Sequence, residues 1–387
     1  MHAIKDAVHD YVEVDGVARD LLDTPAMQRL RHVKQLSTVR LVYPSASHTR
    51  FEHSLGVFHL ASQALEHLGV RGSRAEAVRA AALLHDVGHG PYGHQTEGII
   101  QRRLGRHHDE VSHLLEGTDV GEILESHGLD APVVADLIAG EGRLGQLVSS
   151  DLDVDRMDYL VRDAHHTGVP YGTVDPGRLV RTLRFVDGDL ALAEGNVPTA
   201  ESLLVARALM NATVYRHHVS RIAGAMLERA SELLLDETDL DVEEFARMTD
   251  ARLLGALNEC DATVEFANRL AERRLYKRAI WVDLDAVPEW LLDADHGERR
   301  RLEVEIAQAA AVDGRSVIVD CLGRPSMPET DARVVVDGEV RRLHEQSPLV
   351  GGLQAAQRAQ WRLGVYAPEA DAGRVEAAAT EYLELSA

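Results

Sequence analysis

The chain has 387 residues, enough to bury a full core and to form two domains, or one large domain with an appended lobe. Its formal charge of −22, with lysine only at Lys5, Lys34 and Lys277, argues against a general binder of nucleic-acid backbone and requires any anionic ligand to meet a local, positively charged pocket. Cys260 and Cys321 are too few for a disulfide framework, the N-terminal MHAIKDAVHD lacks a signal-peptide core, and no apolar run approaches the roughly 20 residues of a membrane span, so a cytoplasmic protein with no membrane partner is expected.

In chain order, Asp15-Gly16 predicts a hairpin turn between Tyr11-Val12 and Val17. Thr24 can cap a first helix with Pro25 at its first position, and Met27, Leu30, Val33 and Leu36 continue it as an apolar stripe. The small-residue loop SASHTR leads into a helix over residues 51–68, with Leu55, Phe58 and Leu65 on its core face and His53 in its first turn. Ser73-Arg74-Ala75-Glu76 has the form of a capping box and predicts a helix that starts near Ser73 and delivers His85 and Asp86 from its last turn. A loop built on Gly88, Gly90, Pro91 and Gly93 then carries His89 and His94.

Residues 95–147 read as short helices broken by glycine and rich in histidine. Over residues 149–172, Leu152, Met157, Leu160 and Val161 mark a helical face densely interrupted by Asp151, Asp153, Asp155, Asp158 and Asp163. Residues 183–192, with Asp187-Gly188 in the middle, predict a small hairpin, and residues 197–235 one or two long helices. Beyond about Asp236 come acidic helices, then strand-like runs at 316–321, 334–336, 340–343 and 361–366, and a closing helix at 373–385. The expected organisation is one domain over residues 1–235 and an α+β lobe over 236–387.

His85 offers one neutral nitrogen and Asp86 one oxygen, but adjacent residues on a helix point about 100° apart, so a shared ion must sit off the helix end and draw further ligands from elsewhere. His53 and one aspartate of the 151–158 run are the candidates. Two His and two Asp with water in the open positions suit Mn, Fe, Zn, Ni or Mg better than a closed structural zinc site. Such an ion polarises a phosphoryl oxygen and acidifies water, and His89, His94 and His108 could orient phosphates or protonate a leaving group.

The motifs RFEHS at 50–54, HDVGHGPYGH at 85–94 and DVDRMDYLVRD at 153–163 resemble the HD-domain metal-dependent phosphohydrolases. LDTPAMQRLRHVKQL followed by YPSASHTRFEHSLGV narrows the resemblance to the deoxynucleoside triphosphate triphosphohydrolases. The match runs in order from about Leu21 to His218 and continues only loosely, at ERRLYKRA over 272–279. It implies a mainly α fold, an HD-domain helical bundle with a smaller α+β C-terminal lobe.

Carried over residue by residue, the resemblance makes His53, His85, Asp86 and Asp155 the metal ligands and selects Asp155 from its acidic neighbours. It turns His89 and His94 toward the phosphates, with His94 exchanging a proton and His108 and Glu97 supporting it. It sets Gln35 and Leu36 on the sugar, and Arg50, Arg156, Tyr159, Asp163, Arg207 and Tyr215 around the triphosphate and sugar. Arg156 stands where relatives often carry lysine and Glu97 where aspartate is usual; both keep the charge. Asp23, Gln28 and Arg31 match positions that bind a regulatory nucleotide in some relatives, and a homo-oligomer is implied. Two other readings stand beside this one: an HD phosphohydrolase or phosphodiesterase acting on a monophosphate, cyclic or signalling nucleotide, and a nucleic-acid-binding or regulatory protein that keeps the site without turnover.

Overall fold

The computed structural model describes residues 2–327 and 331–385. The chain is mainly α-helical and groups into two compact units: residues 1–214, 240–253 and 328–351 form one, and residues 215–239, 254–327 and 352–387 the other.

The first unit opens with an antiparallel hairpin, His2–Asp6 against Asp10–Val14. Its turn lies at residues 7–9 rather than at Asp15-Gly16. The Asp6 carboxylate accepts the amides of Val8 (2.9 Å) and His9 (2.8 Å), which closes the chain one strand earlier than Asp-Gly would. Asp15 and Gly16 instead start the helix Gly16–Leu22, with Gly16 at φ +55°.

Thr24 caps Pro25–Leu30 as expected, but the helix stops at Leu30. Val33 stays fully buried from a run of turns tied to the next loop: Arg50 N donates to Val33 O (2.9 Å) and Gln35 N to His48 O (3.0 Å). These bonds replace the helical ladder, and that is why the stripe through Val33 and Leu36 is not helical.

The helix Arg50–His67 is the spine of this unit. A reciprocal capping box between Thr49 and Glu52 starts it, so the motif expected at Ser73 occurs here. At Ser73–Leu84 the N-cap is Gly72, at φ +69°, and Ser73 is already helical; Glu76 accepts from Arg79 (3.2 Å) instead of turning back to the cap. The alanine-rich face of this helix packs on the spine, as does the helix Val154–Thr167, capped by Asp153 through Arg156 N (2.8 Å).

The hairpin Leu183–Val186 with Asp189–Leu192 turns at Asp187 (φ +52°) and Gly188 (φ +95°), as the two-residue Asp-Gly loop requires. A second hairpin, Arg333–Val336 with Glu339–Arg342, joins it through one parallel pairing, Leu192 with Val334. Between them in sequence, the helix Val197–Met210 passes into a π-helical turn, Asn211–Tyr215, before His218–Glu237 begins. Tyr215 is therefore presented from the end of a π turn rather than from a long α-helix.

The second unit is built on a three-stranded antiparallel sheet with Arg362–Ala367 in the middle, flanked by Lys277–Asp283 and Ile318–Asp320. Helices His296–Ala309 and Ala372–Tyr382 enclose a core of Leu302, Ile306, Leu363, Val365, Val375 and Ala379. The charged run HGERRRLEVEIAQA hides the two apolar anchors of the first of these helices, and the sequence reading does not predict it. No helix among the described residues is long and apolar enough to cross a membrane.

Candidate metal centre

Three helix ends of the first unit bring the predicted ligand set together. His53 comes from the first turn of Arg50–His67, His85 and Asp86 from the end of Ser73–Leu84, and Asp155 from the first turn of Val154–Thr167. His53 Nε2 lies 3.3 Å from His85 Nε2 and 2.8 Å from Asp155 Oδ1, while Asp155 Oδ1 is 3.8 Å and Asp86 Oδ1 3.5 Å from His85 Nε2.

The neighbours of each ring decide what these nitrogens can do. His85 Nδ1 donates to Ala82 O (2.9 Å) and His53 Nδ1 to Asp158 Oδ2 (2.7 Å), so both Nε2 atoms turn to the same point. Two imidazole nitrogens this close, beside two carboxylates, call for a shared cation. The Asp86 Oδ2 atom is buried with no hydrogen-bond partner among the described groups. A mixed N/O donor set with an unsatisfied carboxylate oxygen fits a divalent ion.

Electrostatics point the same way. Burial lowers the His53 pKa, but hydrogen bonds to Asp155 and Asp158 and the Asp86 charge overcome it and carry it up to about 10. Burial raises the Asp86 carboxyl, and Arg50, His85 and His89 more than reverse this, leaving it well below the usual range. Asp155 is likewise lowered, against burial, by His53 and His85. The pocket therefore stabilises positive charge at this point.

A buried relay behind His53 was not singled out from the sequence. Asp158 also accepts from Arg162 Nε (2.9 Å) and Nη2 (3.0 Å) and pairs with His9 Nε2 (2.6 Å), and Arg162 reaches on to Asp6 (2.9 and 3.2 Å). The Asp-x-x-x-Arg spacing on one helix face was its local signal; the contacts to His9 and Asp6 lie about 150 residues away and leave none.

On the other side of Asp86 lies the histidine cluster. His89 Nε2 is 3.3 Å from Asp86 Oδ1, and its ring stacks on His108 at 4.0 Å and meets His94 edge-on at 4.6 Å. Glu97 bridges His94 Nδ1 (2.7 Å) and His108 Nδ1. Burial, then Arg50 and the other two rings, hold His89 far below the usual histidine pKa. Burial lowers His108 too, but Glu97 outweighs it and the pKa is raised. Gly88 permits the close packing: a Cβ there would come within 2.0 Å of His108 O.

The expected substrate residues are distributed around this centre. Arg50 is buried, with Nη1 on Asp86 Oδ1 at 2.9 Å, so its charge is already committed to a carboxylate at the centre. Tyr159 sits edge-on to His53, ring centroids 6.5 Å apart. Burial lifts its phenol to about 12, against the opposing charges of Arg207 and Arg156. Arg156 pairs with Asp153. Asp163 accepts from His48 Nε2 (2.8 Å), and His48, through its carbonyl, holds Gln35, so His48 is a connecting residue the sequence reading passed over. Leu36 caps the short 3-10 turn Ser37–Leu41.

Tyr215 opens the second unit. Of the regulatory candidates, Gln28 donates to Leu22 O (2.7 Å) and accepts from Arg31 Nε (2.9 Å), Arg31 lies 3.6 Å over the Phe51 ring, and Asp23 ends the helix Gly16–Leu22.

Comparison with known proteins agrees with this geometry. The family model described as HD domain matches residues 50–163, and that described as HD associated region matches residues 174–387. The chain belongs to the HD-domain family that carries the HD-associated region, and its class is that of the HD phosphohydrolases. An uncharacterized protein of Methanocaldococcus jannaschii is 33% identical over 95% of this chain and 80% of its own. The deoxynucleoside triphosphate triphosphohydrolase SAMHD1 of Homo sapiens is 26% identical over 80% of this chain, which spans 59% of that protein's length. Among solved structures, a hypothetical protein from Aquifex aeolicus superposes with a TM-score of 0.78 at 28% identity, covering 97% of this chain and 99% of that one. A phosphohydrolase from Bacteroides thetaiotaomicron superposes with a TM-score of 0.74 at 27% identity, over 95% and 100%.

Proposed function

We propose that this protein is a metal-dependent deoxynucleoside triphosphate triphosphohydrolase, releasing deoxynucleoside and inorganic triphosphate. The observation that carries the reading is the contact, through Asp86 and His89, between the His53, His85 and Asp86 group, with Asp155 against its two histidines, and the His89, His94, His108 and Glu97 cluster. The likeness to SAMHD1 supports the choice of substrate.

In this reading His53, His85, Asp86 and Asp155 hold the divalent ion, which supplies a Lewis acid for the phosphoryl group and for water. Arg50 keeps Asp86 ionised and oriented. His89, buried and neutral, carries a single ring N–H, which would pass from Asp86 Oδ1 to a phosphate oxygen when substrate binds, without placing a second full charge in the pocket. His94, whose side chain is 66% exposed, has its Nδ1 fixed by Glu97, which leaves Nε2 to give a proton to the departing sugar oxygen. Arg156 and Arg207, beside Tyr159, meet the triphosphate; Gln35, Leu36 and Tyr215 meet the sugar. Residues 1–235 would carry the chemistry and 236–387 the accessory lobe of a cytoplasmic homo-oligomer, with regulatory nucleotide near Asp23, Gln28 and Arg31.

A product assay over all dNTPs and rNTPs with Mn, Mg, Fe, Ni and Zn tests the reading. Inorganic triphosphate from dNTPs is expected. Orthophosphate or pyrophosphate as the released anion, or turnover of cyclic or monophosphate nucleotides in its place, would assign the site to another phosphohydrolase reaction. Sedimentation with and without nucleotide tests the assembly, and an active strict monomer under both conditions would remove it.

A further inference from the structure

Behind the metal-bearing loop, within the first unit, lies a second cavity of about 250 Å³. Its apolar wall includes Pro25, Ile100, Leu104 and Leu114; its polar wall includes Arg29, Arg106 and Arg247. Two acids also line it: Glu243 pairs with Arg106, and the Asp119 carboxylate accepts from Val120 N (3.0 Å) at the start of its own helix, a bond that leaves its charge to offset one of the remaining arginines.

Arg29 and Arg247 are in a different position. Arg29 spends three of its five N–H donors on carbonyls, Met248 O (2.9 Å), Val87 O (3.0 Å) and His89 O (2.5 Å), and no carboxylate among the described residues pairs with it. The nearest acid to act on it, Asp250, is bonded to the amides of Tyr92 (2.7 Å) and Lys34 (3.0 Å). Arg247 is exposed at the cavity and likewise has no ion-pair partner among the described residues. The two guanidinium groups repel each other, and burial followed by this repulsion brings Arg29 down to about 10. His113, in the same wall, is lowered by burial, then by Arg106, and by Arg247 against Glu243. In a chain of charge −22, two arginines in one cavity wall with no ion-pair partner among the described residues favour an anion there.

We propose that this cavity is a regulatory site for a small phosphate monoester, its dianion held between Arg29 and Arg247 and its apolar body against Ile100, Leu104 and Leu114. Two guanidinium groups present paired N–H donors that suit the several oxygens of a phosphate monoester, which carries about −1.5 to −2 at neutral pH, better than a single carboxylate. Occupancy reaches the metal centre through Arg29, because Arg29 Nη2 holds the carbonyls on both sides of Gly88, in the loop that carries Asp86 and His89.

Calorimetric titration with phenyl phosphate, with benzoate as the singly charged control, tests the site. The first arm uses Asp86→Asn protein under chelator, where the metal centre cannot hold a phosphate through an ion. Binding of phenyl phosphate is expected to persist there, to exceed that of benzoate, and to weaken at least tenfold on adding Arg247→Ala or Leu104→Trp; the latter fills the cavity without changing charge. The second arm measures Mn²⁺ affinity of the otherwise native chain, which phenyl phosphate should shift several-fold, with the shift abolished by Arg247→Ala. No binding in the chelated Asp86→Asn protein, binding that Arg247→Ala leaves unchanged, or a Mn²⁺ shift that survives Arg247→Ala would each overturn the proposal. Neither arm depends on which nucleotide the metal centre hydrolyses.

Discussion

Gly56 and Asp158 occupy the same space on two crossing helices: a Cβ built on Gly56 would lie 1.9 Å from Asp158 Oδ1 and 2.5 Å from Arg162 Nη2. Gly56 stands one turn after His53, so the absence of a side chain there is what lets the Asp158–Arg162 pair come up beneath the His53 ring. Gly56→Ala is expected to force this buried ion pair aside, costing about 1–3 kcal/mol by overpacking and loosening His53 in the same step. Urea unfolding and Mn²⁺ titration of the variant should both register it. Native stability with native metal affinity would show that the helices separate freely and that the crossing is not tight.

Asp158 itself gives the sharper test, because it touches His53 and none of the other residues assigned to the ion. Asp158→Asn keeps the volume but removes the charge that orients His53 Nδ1–H and balances Arg162. The expected loss is about 10–100-fold in metal affinity, the usual range for outer-shell partners. Asp6 still holds Arg162, so the fold should survive. A variant with unchanged affinity would reduce the relay to a purely structural role.

A pH test lies away from the metal ligands. His166 stacks on His48 with ring centroids 4.3 Å apart, and its Nε2 is buried with no partner among the described groups. Burial first, then the charges of His48, His165 and Arg162 against Glu52, lower its pKa from the ordinary 6.5 to about 4. Between these values the unfolded chain binds a proton that the folded chain refuses, so the stability is present above about pH 6.5 and is lost as pH falls toward 4. His166→Phe, which keeps a ring to stack, should lose less stability than the native chain over that window. Parallel unfolding curves for the two proteins from pH 7 to 4 would contradict the assignment.

The site was legible where chemistry is written locally. RFEHS and HDVGHGPYGH place rare residue types at fixed spacing, and the two helix ends that carry them meet. Asp155 could be chosen from its run only by family resemblance, because five aspartates in a row of helical turns look alike until His53 is seen to sit between two of them. What was not legible was set by distant partners. The Asp15-Gly16 turn gave way to the Asp6 side chain, and the Ser73 cap to Gly72. The strand-like runs at 334–336 and 340–343 were visible, whereas the pairing of the first with a strand about 140 residues earlier was not.

The sugar preference decides the proposed function, and Tyr215 is the residue proposed to set it. It closes the π-helical turn Asn211–Tyr215, where an extra residue per turn shifts the direction of the side chains that follow the helix Val197–Met210. A bulky side chain fixed at C2′ of a bound sugar leaves no room for a hydroxyl, and a hydroxyl forced there loses its water without a replacement bond. That penalty is a few kcal/mol, or about a hundredfold in relative rate. Tyr215→Ala is therefore expected to raise rNTP turnover relative to dNTP and to leave metal content unchanged, since no assigned ligand is altered. Competition assays with paired dNTP and rNTP substrates, run beside metal analysis of the same preparations, read both quantities. If the native protein hydrolyses ribonucleotides as readily as deoxyribonucleotides, or the variant keeps the native ratio, Tyr215 does not gate the sugar, and a phosphohydrolase reaction on another nucleotide takes its place.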